Sequence, residues 1–110
     1  MRTLMLRGRL VSAAASPEIL RLEELEITDP VVWCEICARD VTNKPTTIEI
    51  FAKMGKATHV LNCKGPAAAN ETVNLVSPVT LPGNYQLGCK VVGSTSDDII
   101  EMYAYGYTLD

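Results

Sequence analysis

Cys34-Glu35-Ile36-Cys37 has the two-residue spacing with which cysteine pairs hold zinc or run dithiol redox chemistry. Both uses need a tight turn or a helix start that brings the two sulfurs together. Here the pair lies in an apolar alternating run, Val31 to Arg39, and residues three apart on a strand face opposite sides. The sulfurs are therefore predicted to diverge, and no second cysteine pair or histidine pair supplies further ligands. With Cys63 and Cys89 the chain has four cysteines in 110 residues, too few for a disulfide scaffold, so they are read as reduced, buried, small apolar side chains. His59 is the single histidine, and no Gly-x-Ser-x-Gly elbow accompanies it. Asp97 and Asp98 are the only acids nominated to partner it. They stand in a Gly-Ser-Thr-Ser loop that offers too few oxygens for calcium and reads as a solvated turn. Neither glycine-rich phosphate loop is present. These residues predict no enzyme, no metal site and no cofactor.

Two patterns point to binding instead. Tyr103, Tyr105 and Tyr107 are spaced two apart and so share one strand face. Tyrosine rings on a sheet suit a core layer, a subunit interface or a sugar. The second pattern is charge segregation. Arg2, Arg7 and Arg9 stand in the first ten residues without an acid; set against a net −3 for the chain, they leave −6 on the rest. No basic residue follows Lys90, so no phosphate-tracking groove accompanies the tyrosines, and nucleic acid is not an expected partner.

The elements that must carry these residues are strands. Leu4, Leu6, Gly8 and Leu10 share a face of the first run. Ile19 to Ile27 forms a second, with a phase change near Glu23-Glu24. In the third, Val32, Cys34, Ile36 and Ala38 alternate with Trp33, Glu35, Cys37 and Arg39. Ile48, Ile50, Ala52 and Met54 define the fourth, and His59, Leu61 and Cys63 the fifth. Val73 and Leu75 mark the sixth, Tyr85, Leu87, Cys89 and Val91 the seventh, and Ile99 to Tyr107 the eighth. Turn chemistry separates them: Asp29-Pro30, Asn43-Lys44-Pro45, Gly55, Gly65-Pro66, Pro82-Gly83-Asn84 and the 93–98 loop. Residues 66–71 have room for one helical turn at most.

About eight short strands predict an all-β fold, an antiparallel β-sandwich or barrel. The 47% apolar content is enough for one core. No run is long enough for a transmembrane helix, and the alternating start is not a secretory segment. Residues 1–16 are read as a leading arm or an edge strand, with a hinge at Ser12 to Pro17, and residues 17–110 as the sandwich. Arg2, Leu4, Leu6, Arg7 and Arg9 on the leading segment, and Tyr103, Tyr105 and Tyr107 on the last strand, are the candidate partner contacts.

The order of features resembles small β-sandwich virion proteins of tailed bacteriophages, of the capsid decoration (cement) and neck or tail accessory type. The resemblance runs over roughly residues 30 to 108. It rests on the asparagine turn Val41-Thr42-Asn43-Lys44-Pro45, the strand Thr47-Ile48-Glu49-Ile50-Phe51 and the polar approach Ala69 to Leu75. It rests also on Val79-Thr80-Leu81-Pro82-Gly83-Asn84-Tyr85-Gln86-Leu87 and on the closing passage Ser94 to Tyr107. The four cysteines and Trp33 depart from the pattern. The resemblance implies a non-enzymatic virion protein, made in the host cytoplasm. Its partners would be the major capsid protein or other virion proteins and further copies of itself, with no membrane or nucleic acid. A neck, tail or baseplate role and a carbohydrate-binding module are the alternatives.

Overall fold

The computed structural model describes residues 1–13, 17–24, 29–42, 45, 47–68 and 70–109. Among them are nine strands and no helix: β1 (Thr3–Val11), β2 (Glu18–Arg21), β3 (Val31–Asp40), β4 (Thr47–Met54), β5 (Ala57–Lys64), β6 (Val73–Asn74), β7 (Val79–Leu81), β8 (Gln86–Val92) and β9 (Ile99–Thr108). One sheet runs β1-β9-β3-β6, with β7 also on β3; the other runs β2-β8-β4-β5. Every pairing is antiparallel. The two sheets pack face to face as a sandwich, which decides between the two closures the alternation allows.

β1 is an edge strand rather than a free arm. It pairs with β9 from Thr3–Tyr107 to Val11–Ile99, and Leu4, Leu6 and Leu10 pack on the core. β7 is the element that alternation missed: three residues ending at Pro82 are too few to show a period. The candidate helical turn at 66–71 contains a hydrogen-bonded turn, Glu71 amide to Ala68 carbonyl at 3.1 Å, and no helix among its described residues. Residues 25–27 of the second predicted run and 14–16 of the hinge lie outside the described residues.

β3 departs from simple alternation. Its register to β9 shifts between Trp33, opposite Gly106, and Glu35, opposite Tyr105, so Cys34 is an extra residue in the ladder. This bulge puts Val31 and Trp33 on the same inner face as Ile36, Ala38 and Asp40, all buried. The uninterrupted pattern had set Trp33 opposite Ile36. The reason for the difference is steric and polar together. A fully buried indole contributes far more than a cysteine, and its Nε1 donates a hydrogen bond to the buried Tyr85 hydroxyl.

Gly106 makes room for that indole. A Cβ there would lie 2.4 Å from the Val32 carbonyl oxygen and 2.8 Å from a Trp33 ring carbon. The opposite sheet repeats the device at Gly88, over which Phe51 lies: a Cβ would stand 2.5 Å from the ring. Phe51 is thereby 95% covered although it projects from the outer side of β4. The rest of the core is aliphatic: Ile48, Ile50 and Ala52 face Leu87, Cys89 and Val91, with Leu20 and Leu22 closing one side.

A polar knot closes the end where β1, β3 and β8 finish. The Ser12 hydroxyl donates to Glu18 at 3.1 Å and shares a 2.9 Å bond with Ser94. The Ser12 amide donates to the Asp98 carbonyl, and the Asp97 amide to the Ser12 carbonyl. The Asp98 carboxylate accepts from the Thr95 amide (2.9 Å) and hydroxyl (2.8 Å). Asp40 accepts from the Thr42 amide and hydroxyl, and that hydroxyl accepts from the Ile99 amide. Asp98 is therefore a buried clamp, not the solvated turn residue its loop suggested; Asp97 beside it is exposed.

Two outcomes are expected. Gly106→Ala should lower unfolding stability by about 2 kcal/mol or more in a denaturant titration, because the colliding atom is backbone and cannot rotate away. The second concerns alkali. Burial pushes the Tyr85 hydroxyl from 10.0 up to about 12, although the Trp33 bond opposes it. Burial likewise pushes the Cys89 thiol from 9.0 up to about 12. The unfolded chain loses both protons first, so the contribution of these two groups to folding stability should be level below about pH 9 and fall from there to about pH 12. A Tyr85→Phe, Cys89→Ala double variant should show a shallower fall across the same window.

Candidate functional site

The antiparallel register of β1, β9 and β3 turns residues distant in sequence into rows across one outer sheet face. Thr3, Tyr107 and Val32 form the first row; Met5, Tyr105 and Glu35 the second. Arg7, Tyr103 and Cys37 form the third, and Arg9, Glu101 and Arg39 the fourth. The basic leading segment and the tyrosine strand are thus one surface. Tyr103 and Tyr105 are each 40% exposed and Met5 59%. The tyrosines face outward from the core, and Tyr107 is half-buried at the far row.

The upper rows border an open groove of about 810 Å3, with Arg7, Arg9, Arg39, Thr72, Glu101 and Tyr103 among its lining residues. Its charge is partly neutralised. Arg39 donates to Glu101 at 3.2 Å and to the Asn70 side chain at 3.2 Å. Arg7 and Arg9 have no ion-pair partner among the described residues. The Tyr103 hydroxyl donates to Glu35 at 2.8 Å. Its bonds with the Cys37 sulfur and with Glu35 hold the phenol proton well above the ordinary tyrosine range. Cys37 donates to the Asn74 side chain, and burial raises its thiol. The face thus sets two arginines without ion-pair partners among the described residues beside aromatic and apolar side chains.

Of the eight residues singled out from sequence, Arg7, Arg9, Tyr103, Tyr105 and Tyr107 lie on this face. Leu4 and Leu6 point the other way and rest half-buried against the core. Arg2 lies at the strand's start, its backbone tied to Thr108 by bonds of 2.8 Å in each direction. Met5, Arg39, Glu101 and Glu35 were missed. Their types were visible, but only the strand register brings them beside the arginines.

The other chemical candidates stay apart. All four cysteines are free: Cys34 sits at the bulge, Cys37 on the outer face, Cys89 in the core and Cys63 exposed on β5. No group of three or more metal-ligating side chains occurs among the described residues. His59 is exposed on β5 opposite Ala52, near the β4–β5 hairpin. The 93–98 loop leaves β8 at the opposite end, where Val92 pairs with Thr47, so His59 does not meet Asp97 or Asp98.

No family model and no curated protein matches the sequence. The fold does have solved counterparts. A chain in a structure of infectious bursal disease virus, Gx strain, aligns over 97% of this protein at a TM-score of 0.55 and 10% identity; the match spans 32% of that chain. A subunit from Bacillus endospore appendages, described as a family of disulfide-linked pili, aligns over 99% of this protein and 88% of its own length, at a TM-score of 0.55 and 13% identity. A family 4 carbohydrate-binding module (CBM4) aligns at a TM-score of 0.43 and 14% identity. At these identities the likeness is one of fold: an all-β sandwich.

Thiol accessibility checks the placement of the cysteines. Cys63 should react with a maleimide at least roughly tenfold faster than Cys37, whose thiol is both covered and raised in pKa. Cys89 should react only after denaturation, as read by peptide mass mapping.

Proposed function

We propose that this protein is a non-enzymatic structural subunit of a virion, a cement or decoration subunit that binds and stabilises an assembled capsid shell. The observation that carries the reading is the union of basic β1 and the tyrosines of β9 into one exposed, partly unneutralised face. A domain whose nameable surface is a flat, charged and aromatic sheet, with no convergent catalytic groups among its described residues, is suited to contact with another protein. The fold likeness to a chain of a viral particle and to a pilus subunit supports an assembly role. The resemblance of its sequence pattern to tailed-phage decoration proteins is what turns this reading toward the shell.

The mechanism is mass action. A subunit that binds the closed shell and not its dissociated parts stabilises the shell by its own binding free energy. If copies associate, each further contact becomes intramolecular and avidity rises. The partners are then the major capsid protein or a neighbouring virion protein, together with other copies of this chain. No described helix is long and apolar enough to cross a membrane.

A second reading, a subunit of a protein fibre, is favoured by the near-complete mutual coverage with the endospore appendage subunit. Neck, tail and baseplate positions remain variants of the first.

Co-sedimentation with intact and protein-stripped tailed-phage capsids separates these. Saturable binding at a fixed stoichiometry per capsomer is expected, reduced at least about tenfold by an Arg7→Glu, Arg9→Glu double variant. Removing residues 2–10 is not the right test, because it would strip β9 of its partner and uncover the core. Absence of shell binding with concentration-dependent fibres in the electron microscope would replace the cement reading with the fibre one.

A further inference from the structure

The β1 edge carries more information than its charge. β1 ends its sheet, so alternate amides and carbonyls along nine residues face away from β9 and pair with no described strand. Such an edge is a template for an incoming strand. Its side chains specify what that strand must be. On the outer face Arg7 and Arg9 stand two apart without ion-pair partners among the described residues. On the inner face Leu4, Leu6 and Leu10 are half-buried against the core, and no described strand lies beyond the edge. An added strand would place its alternate side chains about 5 Å from the arginines and the others beside the leucines.

A second copy of β1 fits poorly in the registers that centre on its arginines. Antiparallel pairings centred on Arg7, Gly8 or Arg9 set Arg7 against Arg7, Arg7 against Arg9, or Arg9 against Arg9. Like charges directly opposite one another are destabilising.

We propose that the β1 edge binds an extended segment of another protein in which acidic and apolar residues alternate, the acids pairing with Arg7 and Arg9 and the apolar residues extending the core past Leu6 and Leu10. The groove beside Arg9, Arg39 and Tyr103 receives the segment's longer outward side chains. This rests on the reading of the sheet face as a contact surface and names the chemistry of its partner: a strand contributed by the shell protein.

The test uses the full chain and capped nine-residue peptides that alternate valine with glutamate, glutamine or lysine. Binding is followed by fluorescence anisotropy at low salt, with amide exchange on β1. The glutamate peptide is expected to bind saturably, at least about tenfold more tightly than the glutamine peptide, to slow exchange along β1, and to weaken as salt is raised. The Arg7→Glu, Arg9→Glu variant should stay folded, as read by a cooperative melt, and switch preference to the lysine peptide. Equal binding of the glutamate and glutamine peptides, an unchanged preference in the double variant, or no slowing of β1 exchange would overturn the proposal. So would binding of an acidic oligosaccharide such as oligogalacturonate at the arginines with no peptide binding, which would assign the groove to a saccharide. Peptide binding without shell binding leaves the edge site standing and removes the cement reading. Shell binding that persists in the double variant, with no peptide binding, does the reverse.

Discussion

One extra residue in β3 decides how the first sheet is built. Without the bulge at Cys34, either Trp33 or the pair Ile36 and Ala38 would face solvent, since a period of two cannot bring both inward. The added residue resets the phase, and the sheet acquires a buried indole at its centre. That indole then dictates its surroundings: a hydroxyl, Tyr85, to accept its proton, and a residue without a side chain, Gly106, on the neighbouring strand. The bulge also fixes the outer face. Downstream of it Glu35, Cys37 and Arg39 point outward, in line with Tyr105, Tyr103 and Glu101. The core and the candidate contact surface are thus two sides of the same phase change.

The polar knot at one end has a complementary role. Four connections or strand ends meet there, and buried backbone groups must find partners. Serine, threonine and aspartate side chains supply them: Ser12 to the 93–98 loop, Thr95 to Asp98, Thr42 to Asp40. Burial alone would raise the Asp98 carboxyl; the bonds from Thr95, with those involving Asp40 and Thr42, outweigh it and hold the group below the ordinary carboxylate range. The acids are retained in the interior because each is met by donors placed on its own turn.

How much of this could be read from sequence follows from what a strand's period records. The two-residue repeat reports which side chains share a face, so eight of the strands and the shared face of Tyr103, Tyr105 and Tyr107 were legible, but not that this face points outward. It does not report which strand lies beside which. The meeting of Arg7 with Tyr103, and of Arg9 with Glu101 and Arg39, depends on register and stayed hidden. A bulge is likewise invisible to a fixed period, which is why Trp33 was set on the wrong face. Asp98 was misjudged for a related reason: a polar loop composition signals a turn but not whether the turn is packed under its neighbours.

The pairing of β1 with β9 has a mechanical side. Thr3 lies opposite Tyr107, so the outer ends of these two strands emerge side by side from one end of the sandwich. Antiparallel ladder bonds run perpendicular to the strands. Tension applied across that pair of ends would load the bonds one at a time, as in opening a zipper, whereas a pull in opposite directions along the two strands would load them all together. A domain wired in this way yields easily when β1 and β9 are drawn apart from that shared end. It bears load well when the two strands are pulled in opposite directions along their length. In any assembly under tension, that geometry favours attachment points that place β1 and β9 in shear.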